Sequence, residues 1–178
     1  MPKEYITSDH HFFHSNIIKY CDRPFDSIND MNFKMIKKWN SMVDEEDTVF
    51  HLGDLTFKGK KVANTLDDVL NGNIIMTRGN HDSYSTADFT IMENFSIKRK
   101  GIGFKCTHWP ETDFEEWLIH GHEHNNDLYK YPFYYPQKNR INVSVEVTGY
   151  EPVSIDDIIS LIKSQNKKIE KKSQSHVF

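Results

Sequence analysis

Trp117-Leu118-Ile119-His120-Gly121-His122-Glu123-His124 reads as an apolar strand that stops in a glycine and two histidines spaced two apart. Side chains alternate along a strand with a period of two, so the pair His122 and His124 points both imidazoles the same way. The glycine before them allows a close approach of backbone and ion. That spacing at a strand end fits a metal pair better than it fits packing.

Working outward, the same arrangement recurs. Tyr5-Ile6-Thr7 runs into Ser8-Asp9-His10-His11, and Thr48-Val49-Phe50-His51-Leu52 runs into Gly53-Asp54. Asn73-Ile74-Ile75-Met76-Thr77 ends in Arg78-Gly79-Asn80-His81-Asp82, and a hairpin pattern from Phe95 to Thr107 leads into His108. Singly these clusters say little. Gly-Asp is an ordinary turn, Asp-x-His is found in surface loops, and an Asn oxygen ligates hard cations but also fills polar turns. Together they are informative, because ligands bind at the carboxyl ends of strands in α/β sheets and five strand-end clusters can converge on one edge.

The intervening pattern predicts the scaffold. One or two helical turns are expected over 15–20. A longer helix follows Ser27 as N-cap, with Ile28, Met31, Met35, Ile36, Trp39 and Met42 as its apolar stripe. Residues 60–70 read as a helix closed by Asn71-Gly72, and a further helix is expected near 85–93. Arg140 to Val147 alternates as a strand. Ser154-Ile155-Asp156-Asp157 is a capping box opening a last helix, Ile158 to Ile162, with a lysine-rich tail fraying from Lys163. The order βαβαβ, then mostly β, then a closing helix predicts one α/β domain over 1–178.

Composition sets bounds. A chain of 178 residues with 37% hydrophobic and 13% aromatic residues builds a core without disulfides. Cys21 and Cys106 form no CxxC pair, which fits a reducing compartment. The start Met1-Pro2-Lys3-Glu4-Tyr5 has no apolar leader, and no window approaches a membrane span, so a cytoplasmic protein is expected. The net charge of -4 argues against stable nucleic-acid binding, though not against a nucleotide or an RNA end as substrate.

The five clusters, D-x-H, G-D, G-N-H-D, H and G-H-x-H, resemble the five-block pattern of the calcineurin-like metallophosphoesterases. They occur in the family's order and span Asp9 to His124. The stretches Ser8 to Ile18, Arg23-Pro24-Phe25 and Asn142 to Val147 resemble a small bacterial and phage branch of it. The resemblance implies a four-layer α/β/β/α sandwich, two mixed sheets flanked by helices. It also implies two divalent ions, manganese first, with iron, nickel, zinc or magnesium as alternatives. Asp9, His11 and His124 would hold one ion, Asn80, His108 and His122 the other, and Asp54 both. A hydroxide bridging the ions would attack phosphorus. The substrate class would be a small phosphoester, a nucleotide among the candidates. The alternatives are a nuclease or RNA-end enzyme acting on 2',3'-cyclic phosphates, and a non-catalytic binding module.

In the family the histidine matching His81 serves the leaving group or the transition state, and Asp82 is the candidate to orient it. One departure stands out. Protein-phosphatase relatives carry a second acid and an arginine after the G-D block, whereas this chain reads Gly53-Asp54-Leu55-Thr56-Phe57-Lys58. Arg78, His14, Asn16 and Arg23 are candidate substrate contacts. Arg78 equally suits a structural carboxylate, and Ser15 or Asn16 equally suits a helix cap. His51 and His120 fall inside strand patterns and read as core histidines. Trp109 and Phe12 suit either base stacking or packing.

Overall fold

A computed structural model describes residues 1–84, 87–112 and 114–174. The first strand, β1 (Glu4–Thr7), is followed by α1 (Ile17–Tyr20), α2 (Ile28–Met42), β2 (Thr48–His51), α3 (Lys60–Val69) and β3 (Asn73–Thr77). Next come β4 (Thr90–Met92), β5 (Phe95–Arg99), β6 (Ile102–Thr107), β7 (Trp117–His120) and β8 (Tyr134–Tyr135). The chain closes with β9 (Arg140–Asn142), β10 (Val153–Ser154) and α4 (Ile155–Gln174).

These strands form two five-stranded mixed sheets, ordered β10-β1-β2-β3-β4 and β5-β6-β7-β9-β8. In the first, β1, β2, β3 and β4 run parallel and β10 is antiparallel. In the second, β6, β7 and β9 run parallel between antiparallel edges. Four parallel strands of the first sheet and three of the second therefore aim at the same edge, and this places the five clusters together.

Strand alternation assigns the faces. Tyr5, Val49, Ile74 and Met76 face α2 and α3 and join Met31, Met35, Trp39 and Leu66 in one buried cluster. Their neighbours Ile6, Phe50 and Leu52 turn the other way, to Phe104, Cys106 and Ile119 of the second sheet and the isoleucines of α4. The period of two in β1 to β3 thus builds both cores. The α/β class with two mixed sheets and helices is as the resemblance implies.

Ser27 caps α2 as expected, its hydroxyl accepting from the Asp30 N–H at 3.1 Å. Met42, expected in the core, lies on the helix end and is 39% exposed. Three elements differ from expectation. Of the helix predicted near 85–93, residues 85 and 86 lie outside the described residues, and Thr90–Met92 is a strand paired in parallel with β3. Sheet pairing overrides local propensity there. The strand predicted from Arg140 to Val147 ends at Asn142; Val143 and Val145 are buried all the same, within a turn tied to β1 by the Ser8–Ser144 bridge. The last helix begins at Ile155 and continues past Ile162 to Gln174, so the tail expected to fray from Lys163 is helical that far, while 175–178 lies outside the described residues.

His51 and His120 are fully buried. Burial holds their rings neutral, down to about 3 for His51 and about 4 for His120. Cys21 and Cys106 are buried free thiols. No helix among the described residues is long and apolar enough to cross a membrane.

Candidate metal centre

The polar clusters follow the carboxyl ends of β1, β2, β3, β6 and β7 and meet in one cleft of about 320 Å3, whose lining includes His11, Asp54, Asn80, His81, His122 and His124. A larger recess of about 680 Å3 opens at the opposite, amino ends of β1 and β2, around Lys3, Met42 and Asp156, and holds none of the predicted site residues. The chemistry lies at the carboxyl edge.

Two glycines let the clusters close up. A Cβ on Gly79 would lie 2.1 Å from Asp54 Oδ1, and one on Gly121 would lie 2.4 Å from Asp9 Oδ2. Any side chain there displaces a carboxylate. Asp9, His11, Asp54, His122 and His124 all adopt positive φ, between 49° and 69°. Non-glycine residues in that region cost about 1–3 kcal/mol each and cluster at functional sites.

Each carboxylate anchors one oxygen and frees the other. Asp9 Oδ2 accepts from the His122 N–H at 2.9 Å and the Ser144 hydroxyl at 2.8 Å, while buried Oδ1 has no hydrogen-bond partner. Asp54 Oδ1 accepts from the His81 N–H at 2.8 Å. Its Oδ2 lies 3.4 Å from His11 Nε2 and 3.6 Å from His108 Nε2, between two groups of imidazoles.

The histidines are oriented in the same manner. His108 Nδ1 lies 2.8 Å from the Leu52 carbonyl, which can only accept, so Nδ1 carries the proton and Nε2 presents its lone pair. That Nε2 is 3.0 Å from Asn80 Oδ1 and 3.2 Å from His122 Nδ1, and the latter two atoms are 2.9 Å apart. Both ring nitrogens of buried His11 lack hydrogen-bond partners. His124 Nε2 lies 3.8 Å from Asp9 Oδ1. Ligand atoms around one ion with bonds of about 2.1 Å sit about 3.0–3.4 Å apart, close to these spacings. The residues fit divalent cations.

The electrostatics agree. Burial, and then the Asp9 charge, push the Asp54 carboxyl up to about 8. Burial also opposes the Asp9 charge, yet the His124, His108 and His11 rings hold that acid well below its ordinary value. Burial drives His11 down to about 2. His124 is raised to about 11 against its burial, by Asp9 first and then by Cys21 and Glu146. Two buried carboxylates that cannot both ionise comfortably, beside unpartnered imidazole nitrogens, are relieved by a cation, which stabilises every deprotonated ligand at once.

Asp9, His11 and His124 offer ligand atoms all within 4.8 Å of one another, and so do Asp9, Asp54 and His108. Cys21, His124 and Glu146 form a third such set, but Glu146 is already neutralised by Arg23, which discourages a further cation there.

Several predicted residues turn out differently. Arg23 is buried and faces the scaffold: it donates to the carbonyls of Asp9 and His10 at 2.7 Å each and pairs with Glu146 at 2.6 Å. Its guanidinium is spent, so it is not a substrate contact. Asp82 does not orient His81. Its oxygens accept from the backbone N–H groups of Asp54, Gly79 and Leu55 and from the Tyr84 hydroxyl. The His81 ring instead lies 5.3 Å from the His11 ring and 5.5 Å from the ring of Phe57, the aromatic three residues after Asp54. Arg78 sits outside the cleft with Glu93 3.8 Å away, and Asn16 is exposed at the start of α1, its carbonyl accepting from Lys19 and Tyr20. His14 does line the cleft, 4.4 Å from Phe57. Phe12 is fully buried and packs, whereas Trp109 is 44% exposed with its ring 6.0 Å from His122.

Glu146 and Ser144 are absent from the predicted site although both touch its residues. A lone acid in the alternating stretch Ile141 to Val147 was the signal available in the sequence. Tyr20 and Asn126 also line the cleft, with no signal in the sequence to mark them.

The model of the calcineurin-like phosphoesterase family matches residues 5–168. The uncharacterized protein MJ1445 of Methanocaldococcus jannaschii is 45% identical over 170 residues, covering 92% of this chain and 93% of the relative. Among solved structures, the protein of unknown function AQ665 from Aquifex aeolicus superposes with a TM-score of 0.68 at 25% identity, over 91% of this chain and all of that one. This chain belongs to the calcineurin-like phosphoesterases.

Proposed function

We propose, on the premise of that family membership, that the chain hydrolyses small phosphoesters with two divalent ions. Asp9, His11 and His124 hold one, Asn80, His108 and His122 the other, and Asp54 both. The observation that carries this reading is the position of Asp54 Oδ2, within 3.6 Å of an imidazole nitrogen from each group. A carboxylate oxygen can serve two cations where an imidazole nitrogen serves one. Bound ions supply positive charge to the phosphate oxygens and make coordinated water acidic enough to act near neutral pH.

The protein's own groups do the rest. Imidazole, carboxylate and amide donors suit manganese, iron, nickel or zinc, with manganese the first choice. His81 stands exposed at the cleft mouth with its backbone fixed to Asp54, where its ring can pass a proton to a departing oxygen. The stretch Leu55-Thr56-Phe57-Lys58 holds no second acid of the kind protein phosphatases carry after the G-D block, which supports a non-phosphoprotein substrate. No lysine or arginine lines the cleft among the described residues, so the ions carry the phosphate recognition and a long polyanion finds no basic track. A volume of about 320 Å3 accommodates a mononucleotide-sized ester. A cytoplasmic location belongs to the same proposal.

The test is turnover of chromogenic phosphodiesters and monoesters, then of cyclic and linear nucleotides, by metal-free protein reloaded with manganese, nickel, iron or zinc. Metal-dependent cleavage of small esters is expected. Metal uptake without cleavage of any of them would overturn the hydrolase reading in favour of a binding module.

A further inference from the structure

Two charged residues that do not line the cleft, Arg23 and Glu146, are gathered behind His124. Glu146 Oε1 lies 3.0 Å from His124 Nδ1 and accepts from Arg23 Nε at 2.8 Å. A carboxylate can only accept, so His124 Nδ1 carries a hydrogen toward Glu146 and Nε2 is left for the cleft, where Asp9 Oδ1 lies 3.8 Å away. The same guanidinium donates to the carbonyls of Asp9 and His10. One buried ion pair thus grips both ends of a single ligand group, the Asp9–His11 turn from the first sheet and His124 from the second.

Among the described residues no carboxylate accepts a hydrogen bond from the ring of His108 or His122. His108 is oriented by the Leu52 carbonyl, and His122 and Asn80 meet each other directly.

We propose that Glu146, braced by Arg23, is a positioning residue dedicated to the ion position formed by Asp9, His11 and His124, and that it sets the affinity of that position independently of the other. The inference rests on the two-ion reading above. A carboxylate behind a ligating imidazole fixes its tautomer and strengthens its lone pair, and loss of such a partner lowers metal affinity about 10- to 100-fold. Arg23 is what makes the arrangement selective, because it holds the left-handed Asp9–His11 backbone in the register that His124 requires.

The test is calorimetric titration of metal-free wild type, Glu146→Gln and Glu146→Asp with manganese alone, beside thermal melts of the same metal-free proteins. In Glu146→Gln one binding event should weaken about 10- to 100-fold with the other unmoved, and Glu146→Asp should recover part of the loss. Two unchanged events, or two events weakened alike together with a lower metal-free melting temperature, would overturn the proposal. A wild type that binds a single ion refutes the two-ion reading, yet the drop or constancy of that one affinity in Glu146→Gln still decides the role of Glu146. Should Glu146→Gln fail to fold, 15N–1H correlation spectra of zinc-loaded wild type decide instead. A proton on His124 Nδ1 is expected, and one on Nε2 contradicts the assignment.

Discussion

The Asp82 carboxylate accepts the backbone N–H of Asp54 at 2.7 Å. The same oxygen takes the Gly79 N–H at 2.8 Å, and its partner oxygen takes the N–H of Leu55. One buried acid therefore clamps the loop after β2 to the loop after β3, and through them fixes Asp54, the carboxylate proposed to serve both ions. Burial holds Asp82 above its ordinary value, and the donors from Gly79, Asp54 and Tyr84 offset only part of that rise.

Asp82→Asn places an amide N–H2 against those donors. A buried polar group left unsatisfied costs about 1–3 kcal/mol, or about 2–4 °C of melting temperature per kcal/mol at this size. Thermal melts should show that loss, and calorimetry should show weaker metal binding at both positions. A variant melting with wild type would contradict the clamp.

Asp54→Asn should abolish turnover and yet raise the melting temperature of the metal-free protein at pH 8. The sign follows from the raised folded value of about 8. Between the unfolded carboxyl value near 4 and about 8 the folded state binds the extra proton, so this group's contribution falls as pH rises through that window. The amide removes the penalty and keeps an acceptor for the His81 N–H. Melts at pH 5 and pH 8 check this; a variant less stable than wild type at pH 8 would refute it.

His81→Ala should leave metal content and melting temperature unchanged, since among the described residues its ring makes no hydrogen bond to the fold. Turnover should drop about 100- to 10,000-fold, with poor leaving groups hit hardest. A series of aryl phosphodiesters graded by leaving-group pKa measures it. An equal loss across that series would remove His81 from leaving-group protonation.

Metal loading at pH 7 should release protons. His124 is held up at about 11 and Asp54 at about 8, so both carry a proton there before the ions arrive. Ions take the deprotonated ligands, so affinity should fall as pH is lowered from 8. Calorimetry in buffers of different ionisation enthalpy counts the protons, and a buffer-independent heat would contradict these assignments.

The candidate ligands were legible because their signal is local. An apolar run before each cluster puts it at a strand end, although Asp9, His11, His122 and His124 lie beyond β1 and β7 in left-handed turns, so the turns and not strand alternation aim their side chains. The helix of residues 28–42 was legible for the same reason, with Ser27 and a periodic stripe in one continuous stretch. Residues 90–92 carried no such signal; they became a strand because β3 offered a free edge.

What the sequence settled alone is the identity of the groups that meet, since strand ends bring them to one edge whatever lies between. What only the folded chain decided is which polar neighbour supports which ligand. Arg23 and Glu146 are 123 residues apart, and Asp82 reaches Asp54 across 28. An arginine beside a metal motif looks the same in sequence whether it faces phosphate or a buried glutamate. Burial separates the two cases: a charge removed from water must find its counter-charge inside the protein, and the partner it finds is set by how the two sheets pack.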